Sequence, residues 1–141
     1  MNSHPLFEKP IRIRFSHCDP AGIVFYPQYL IMLNGVLEDW FTEGLGIAYD
    51  DLLGVRRVGT PTLRLECDFK AVSRMGDIVS LGLSVERMGQ SSLTLNYVCQ
   101  CHNKVRFLAH QVLVFTDLNT HRSMPIPNDV RAAIAALLPT G

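Results

Sequence analysis

Three consecutive residues with reactive side chains, His17, Cys18 and Asp19, stand at the head of the stretch HCDPAGIVFYPQY, residues 17–29. An imidazole, a thiol and a carboxylate are the parts of a nucleophilic triad, but triad members meet in space and usually come from distant positions. In extended chain neighbouring side chains point to opposite faces, so His17 and Cys18 diverge. Cys18 as a lone nucleophile would need a base and a lowered pKa, and its neighbours indicate neither. It reads as a small packed residue at a strand end. Asp19 differs because Pro20 follows it. The residue before a proline is pushed to extended backbone, which holds Asp19 rigidly at the strand exit. Ala21-Gly22 then lets the chain turn tightly and gives a ligand room beside the backbone.

Ile23, Val24, Phe25 and Tyr26 follow as an apolar wall that ends in Pro27, at a helix start. Unpaired backbone N–H groups there, with the positive end of the helix dipole, favour negative charge. A carboxylate near a helix N-terminus in an apolar pocket suits attack on a carbonyl whose oxygen gains charge. An isolated Asp-Pro also fits a simple turn or capping residue, and these residues alone leave both readings open.

The elements that must position this stretch are read from periodicity. Ile11, Ile13 and Phe15 alternate with Arg12 and Arg14, predicting a half-buried strand. Leu30, Leu33, Leu37, Trp40 and Phe41 then recur at helical spacing, with Pro27 suited to the first helical position and Gly44 and Gly46 to the stop. This predicts one helix of about 15 to 18 residues. Gly59-Thr60-Pro61 opens a second alternation through Leu63, Leu65, Cys67 and Phe69. Gly76-Asp77 marks a turn, Val79, Leu81, Leu83 and Val85 alternate again, and Met88-Gly89-Gln90-Ser91 is another turn. Leu93, Leu95, Tyr97, Cys99 and Cys101 form the fourth run, and His102-Asn103-Lys104 reverses the chain into a last strand over 105–116. Asn128 or Asp129 caps a short C-terminal helix over 130–138. Strand, helix, then four strands joined by short turns implies an α+β fold with a largely antiparallel sheet. One long apolar helix needs a surface, and a curved sheet wrapped around it supplies one. Such a sheet leaves edges that association would cover.

Composition sets bounds. With 141 residues, 48% hydrophobic and 18% charged, the chain is one globular domain, 1–141. The 13 Lys+Arg balance 13 Asp+Glu, against the basic excess expected of a nucleic-acid binder. No apolar run reaches the roughly 18 to 20 residues of a membrane span, and Met1-Asn2-Ser3-His4-Pro5 lacks a signal-peptide pattern. The 4 cysteines therefore read as free thiols in a reducing, cytoplasmic setting. Cys99 and Cys101 share one strand face, but no second close cysteine pair accompanies them, so they read as buried hydrophobes and no metal site is expected.

The ordered string D-P-A-G-I-V-F-Y-P-x-Y, after an alternating strand and opening a helix, resembles the 4-hydroxybenzoyl-CoA thioesterase family of hotdog-fold enzymes. The resemblance is to the group with aspartate in the loop before the helix. It extends through Gly59-Thr60-Pro61, and the element order matches from residue 10 to 118. It implies the hotdog fold, a homodimer or a homotetramer built as a dimer of dimers, an acyl-CoA substrate, active sites shared at a subunit interface, and no cofactor beyond the CoA of the substrate. It implies that Asp19 is the catalytic carboxylate, as nucleophile or as general base for water, and that the Tyr26 backbone N–H polarises the thioester carbonyl. Gly22, Ile23, Val24 and Phe25, with the Leu30/Leu33 face, then line an apolar pocket for an aromatic or short-to-medium acyl group, and Thr60 lies near that group.

Two positions depart from the family pattern. Asn34 stands where the 4-hydroxybenzoyl enzyme carries an aspartate facing the substrate phenol. The turn that gathers basic residues for CoA phosphates reads Arg87-Met88-Gly89-Gln90-Ser91-Ser92 here, leaving Arg87 and Ser92 as contacts, with Arg56, Arg57 and Arg74 as other available cations. Pro27-Gln28-Tyr29 replaces the H-A-N-Y pattern of a related hotdog group. Glu38 is a second candidate acid, because other hotdog thioesterases carry theirs on the helix. Two rival functions are an acyl-CoA-binding hotdog module without catalysis, which would need no carboxylate at Asp19, and a dehydratase, for which His17 is the only loop histidine and is misplaced.

Overall fold

Residues 5–139 are described in a computed structural model of the chain. Along it run strand β1 (Phe7–Arg12), a 3-10 turn (Phe15–His17), helix α1 (Tyr26–Asp39) extended by a π-helical turn (Trp40–Gly44), and helix α2 (Tyr49–Gly54). There follow β2 (Val58–Gly59), β3 (Thr62–Phe69), β4 (Ile78–Met88), β5 (Ser92–Cys101), β6 (Lys104–Val114), β7 (Thr116–Asp117), β8 (Arg122–Ser123) and helix α3 (Asn128–Leu137). The main sheet has 5 strands in the order β1-β4-β5-β6-β3, every pair antiparallel. β2, β7 and β8 make a second, 3-stranded sheet.

The helical periodicity has its physical basis in burial. Tyr29, Met32, Leu33, Val36 and Leu37 are buried, and Trp40 and Phe41 are wholly inaccessible. They meet the inward residues of the sheet, among them Leu81, Leu83, Leu93, Leu95, Phe107 and Leu113. Burying each of these large side chains contributes about 1.5–3 kcal/mol. On β5 the alternation is as expected, with Leu93, Leu95, Tyr97, Cys99 and Cys101 all buried, whereas β3, expected to alternate through Leu63, Leu65, Cys67 and Phe69, buries none of them fully because it is an edge strand. Burial pushes the Cys99 thiol up to about 12, and the Cys101 thiol donates to the Ile78 carbonyl at 3.3 Å. Both behave as small hydrophobes. His102 and Asn103 each take a left-handed φ, 52° and 61°, in the two-residue reversal that joins β5 to β6. Register shifts between Val85 and Arg87 and between Cys99 and Gln100 bend the sheet around α1. This is the hotdog arrangement that the resemblance implies.

Several local expectations need correction. The first strand ends at Arg12, so Ile13 is buried outside it and Phe15 opens the 3-10 turn at 80% exposure. The strand begins earlier, at Phe7, and includes Pro10, which is tolerated because β1 is an edge strand, where a missing N–H on the open side costs no ladder bond. The helical segment runs 19 residues including the π turn, longer than expected, because the Leu45 N–H reaches back to the Trp40 carbonyl at 2.8 Å. α2 lies between the helix stop at Gly44 and Gly46 and the strand opened by Gly59, where sequence periodicity predicts no element. α3 starts at Asn128 with Pro127 as its cap residue and no side-chain cap, and Asp129 instead grips Arg56 at 2.7 Å. Among the described residues no helix is long and apolar enough to cross a membrane.

Candidate active site

The Asp19 turn is dictated locally. Asp at the first position, Pro at the second and Gly at the fourth are the residues a type I turn favours. The Gly22 N–H donates to the Asp19 carbonyl at 2.9 Å, and Gly22 then takes φ +80°. The Asp19 N–H returns to the Ile23 carbonyl at 3.0 Å, and Cys18 pairs with Val24. The result is a tight hairpin with Asp19 at the end of its first arm. One carboxylate oxygen, Oδ1, accepts the Ala21 N–H at 2.9 Å. Among the described residues Oδ2 has no donor, and the side chain is only half-buried. His17 and Cys18 are occupied otherwise. His17 Nδ1 accepts the Arg14 N–H at 2.9 Å, and burial, then the Arg14 charge, hold the imidazole below its usual pKa. The Cys18 thiol donates to the Arg14 carbonyl at 3.4 Å. Neither faces Asp19 as a partner, so the row is no triad.

The second hairpin arm runs directly into α1. The Phe25 N–H bonds the His17 carbonyl at 2.9 Å, Pro27 has no N–H, and the Gln28 N–H returns to the Phe25 carbonyl at 2.8 Å. Of the first helical turn's donors, the Tyr26 N–H is therefore left without an acceptor among the described residues. It lies at the positive end of the helix. Beside it opens an apolar cavity of about 280 Å³ walled by Val24, Tyr26, Tyr29, Phe69 and Val72. The Tyr26 and Phe69 rings meet edge to face at 5.9 Å, and Tyr29 stacks on Phe107 at 4.8 Å.

A polar network fixes the segment on which the hairpin rests. Val24 bonds the Ser73 carbonyl at 2.9 Å, and Ile23 bridges Arg74. Ser73 is fully buried, and its hydroxyl accepts from Tyr29 Oη at 2.8 Å and Arg106 Nη1 at 3.3 Å. Arg106 Nη1 also reaches the Val72 carbonyl at 2.9 Å and Asp77 Oδ2 at 3.0 Å. The Arg74 N–H donates to the same Asp77 oxygen at 2.9 Å. That N–H first, then Arg106, holds the Asp77 carboxyl below the usual carboxylate range.

Of the residues singled out in sequence, Asp19, Gly22, Ile23, Val24, Phe25 and Tyr26 form this one hairpin–helix unit. Asn34 lies further along α1, exposed, donating to Glu38 at 3.2 Å. Thr60 is buried, its hydroxyl 2.8 Å from Tyr49 Oη. Burial mainly, with Glu38 contributing, raises the Tyr49 pKa, so Glu38, Tyr49 and Thr60 belong to one neighbourhood. Arg87 and Ser92 stand at the turn between β4 and β5, the far end of β4 from the Ile23–Arg74 bridge. One chain does not bring them to Asp19. Sequence reading missed Tyr29, Phe69, Ser73, Arg106 and Tyr49 as site residues. Only Asp77 carried a signal, by following Gly76 in a turn.

Residues 13–134 match the family model described as the thioesterase-like superfamily. The 4-hydroxybenzoyl-CoA thioesterase of Pseudomonas sp. (strain CBS-3) is 28% identical over 82 residues, 57% of this chain and 58% of that enzyme, so the match spans little more than half of the relative's length. The 1,4-dihydroxy-2-naphthoyl-CoA hydrolase of Synechococcus sp. (strain CC9605) is 27% identical over 135 residues, 92% of this chain and 90% of that protein. The solved structure of a gentisyl-coenzyme A thioesterase superposes with TM-score 0.81 at 28% identity, covering 90% of this chain and 98% of that one.

Proposed function

This chain belongs to the thioesterase-like superfamily, and on that premise we propose that it hydrolyses an acyl-CoA thioester to a free acid and coenzyme A, with Asp19 as the reacting carboxylate. One observation carries the reading. Among the described residues the Asp19 carboxylate keeps one oxygen without a donor at the end of a tight hairpin, and the same hairpin feeds a helix start where the Tyr26 N–H, without an acceptor, borders an apolar cavity. A turn residue alone has no use for that combination.

The chemistry follows from the geometry. Attack on the thioester carbon moves charge onto the carbonyl oxygen, and the Tyr26 N–H at the helix's positive end stabilises that charge. Asp19 either takes a proton from the attacking water or adds to the carbon itself, forming an anhydride that water then opens. In both routes the C–S bond breaks and the sulfur leaves as thiolate and takes up a proton; the acid gains one oxygen, directly from water or, where the anhydride opens at the Asp19 carbonyl, from Asp19, whose lost oxygen water replaces. Label found in Asp19 after a single turnover in oxygen-18 water identifies the anhydride route, since only an anhydride opened at the Asp19 carbonyl leaves label in the protein.

The acyl group we assign is aromatic, hydroxybenzoyl-like, ahead of short-to-medium aliphatic chains. Aromatic rings line the cavity, and the three relatives named above act, by their names, on hydroxybenzoyl, dihydroxynaphthoyl and gentisyl thioesters. With Asn34 in place of a carboxylate, a ring hydroxyl meets an amide, already bonded to Glu38.

The assembly we assign is a homodimer, paired further into a homotetramer. Among the described residues β3 pairs with β6 alone, and its apolar residues Leu63, Leu65 and Phe69 are 71%, 37% and 50% exposed. An unpaired edge with an uncovered apolar face invites a second copy. Antiparallel pairing of two β3 strands turns one chain's Arg87–Ser92 end toward the other chain's Asp19 end, and so gives Arg87, Ser92 and Thr60 a place in a shared site.

The experiment is release of free thiol from benzoyl-, hydroxybenzoyl-, phenylacetyl- and fatty acyl-CoA. Turnover fastest with an aromatic thioester supports the reading. Binding of all four with turnover of none would leave a non-catalytic binding module.

A further inference from the structure

The chemistry proposed for Asp19 leaves His17 unused, yet His17 stands two positions before the carboxylate and is bonded on three sides. Its ring nitrogen Nδ1 accepts the Arg14 N–H, its own N–H donates to the Arg14 carbonyl, and its carbonyl accepts the Phe25 N–H, each at 2.9 Å. The first two bonds close the turn that leads into Asp19. The third ties that turn to the residue just before Tyr26, where α1 begins. One residue thus couples the arm bearing the carboxylate to the helix start bearing the Tyr26 N–H. Behind it the turn is anchored through Ile13, whose N–H bonds the Asp77 carbonyl and whose carbonyl accepts the Gly76 N–H, each at 2.8 Å.

Only a neutral ring makes the Nδ1 bond. An accepting Nδ1 puts the single ring proton on Nε2. Protonation sets a second N–H at Nδ1, facing the Arg14 N–H across 2.9 Å, and two donors do not share that position. The Arg14 N–H has no other acceptor among the described residues, so both donors reach water only if the turn opens. The titratable groups on the elements around the ring are Arg14 and Cys18 on its own turn, Asp19 on the hairpin, Tyr26 on α1, and Arg74 and Asp77 on the segment beneath. Burial first, then the Arg14 charge, hold the imidazole below its ordinary value, and none of the others shifts it.

We infer that His17 is a positioning residue for Asp19: its neutral ring locks the turn that aims the carboxylate, and its protonation releases that turn and lowers hydrolysis in acid. The inference rests on the thioesterase reading of Asp19 and adds proton control of that same site. The locked turn binds the ring proton more weakly than the open one. Locking is therefore fully favoured above the ordinary value of 6.5 and is lost as pH falls through the lower, folded value. His17 touches no reacting atom and acts only through the backbone that carries Asp19.

The test follows two quantities from about pH 8 downward, across the range in which histidine titrates. One is kcat for an aromatic acyl-CoA. The other is amide hydrogen exchange over residues 13–25, corrected for the intrinsic rate at each pH, which does not depend on turnover. In the wild type kcat falls about tenfold per pH unit below the ring's pKa, and protection over 13–25 falls with it. His17→Ala, which has no acceptor for the Arg14 N–H, lowers kcat about tenfold or more at the top of the range, with KM little changed. His17→Asn sets an amide oxygen in the place of Nδ1 that does not take up a proton. It recovers kcat relative to His17→Ala, and its losses of kcat and of protection begin at a lower pH than in the wild type. His102→Asn, at the exposed reversal between β5 and β6, declines as the wild type does. A decline of kcat or of protection that His17→Asn leaves at the wild-type pH overturns the role. Absence of thiol release at every pH, with protection still following the His17 proton in the wild type and not in His17→Asn, would sink the catalytic reading and leave the lock standing.

Discussion

Between them, the two oxygens of the Asp19 carboxylate join the turn and the open side of the hairpin. Oδ1 is held by the Ala21 N–H at 2.9 Å, which orients the group and leaves Oδ2 without a donor among the described residues. Neighbouring residues have more limited parts. Gly22 adopts φ +80°, and a Cβ there would meet nothing within 4 Å. Gly22→Ala therefore costs only the left-handed backbone, about 1–2 kcal/mol, read as a lowered melting temperature without misfolding. The Cys18 thiol donates a weak bond to the Arg14 carbonyl, and among the described residues no basic side chain accepts from it, His17 Nδ1 being taken by the Arg14 N–H. Cys18→Ala is expected to keep kcat within about threefold, a change of under 1 kcal/mol; a folded but inactive Cys18→Ala variant would show that the thiol has chemistry.

At the scale of elements, the hairpin is precise because segment 72–77 beneath it is pinned from behind. Arg106, on β6, joins Val72, Ser73 and Asp77 in one cluster, with both ion-pair side chains largely buried, 11% and 27% exposed. Arg106→Met is expected to destabilise by about 1.5–3 kcal/mol, as for other hydrogen bonds to charged groups, and to lower kcat with it as the hairpin loosens. Asp77 also sets an acid limit. Its pKa is depressed in the folded protein, so its stabilisation is full above the ordinary value of 3.8 and is lost as pH falls through the lower, folded value. Denaturant titrations stepped downward from pH 4 should show that loss in the wild type and a flatter profile in Asp77→Asn; parallel profiles would remove Asp77 from the cause. These elements also show what a sequence reveals. The Asp-Pro-Ala-Gly turn and the face of α1 were legible because turn chemistry and helical period are local. The Arg106–Ser73 link spans 33 residues and has no local signature. α2 was lost because 6 residues are too few to establish a period, and the first strand was misplaced by Phe15, whose apolar side chain the fold leaves in solvent.

For the molecule as a whole, the uncovered face of β3 is the feature that one chain cannot explain. Light scattering at micromolar concentration is expected to give a dimer or tetramer. Leu63→Glu with Leu65→Glu, placing like charges at the β3 edge, is expected to shift it toward monomer and lower activity together; a fully active monomer would contradict a shared site. The proposed assembly also bears on how the catalytic claim is tested, since kinetics must be compared between variants with the wild-type mass. The direct measurement is steady-state hydrolysis of the best aromatic acyl-CoA by Asp19→Asn, alongside its mass and melting temperature. Asparagine keeps the volume and an acceptor for the Ala21 N–H while removing the charge. The expected result is a folded, assembled variant with near-normal substrate affinity and kcat lowered at least 100-fold, about 2.7 kcal/mol or more of transition-state stabilisation. A kcat within a few-fold of wild type, with melting temperature alone reduced, would make Asp19 a turn residue and contradict the mechanism.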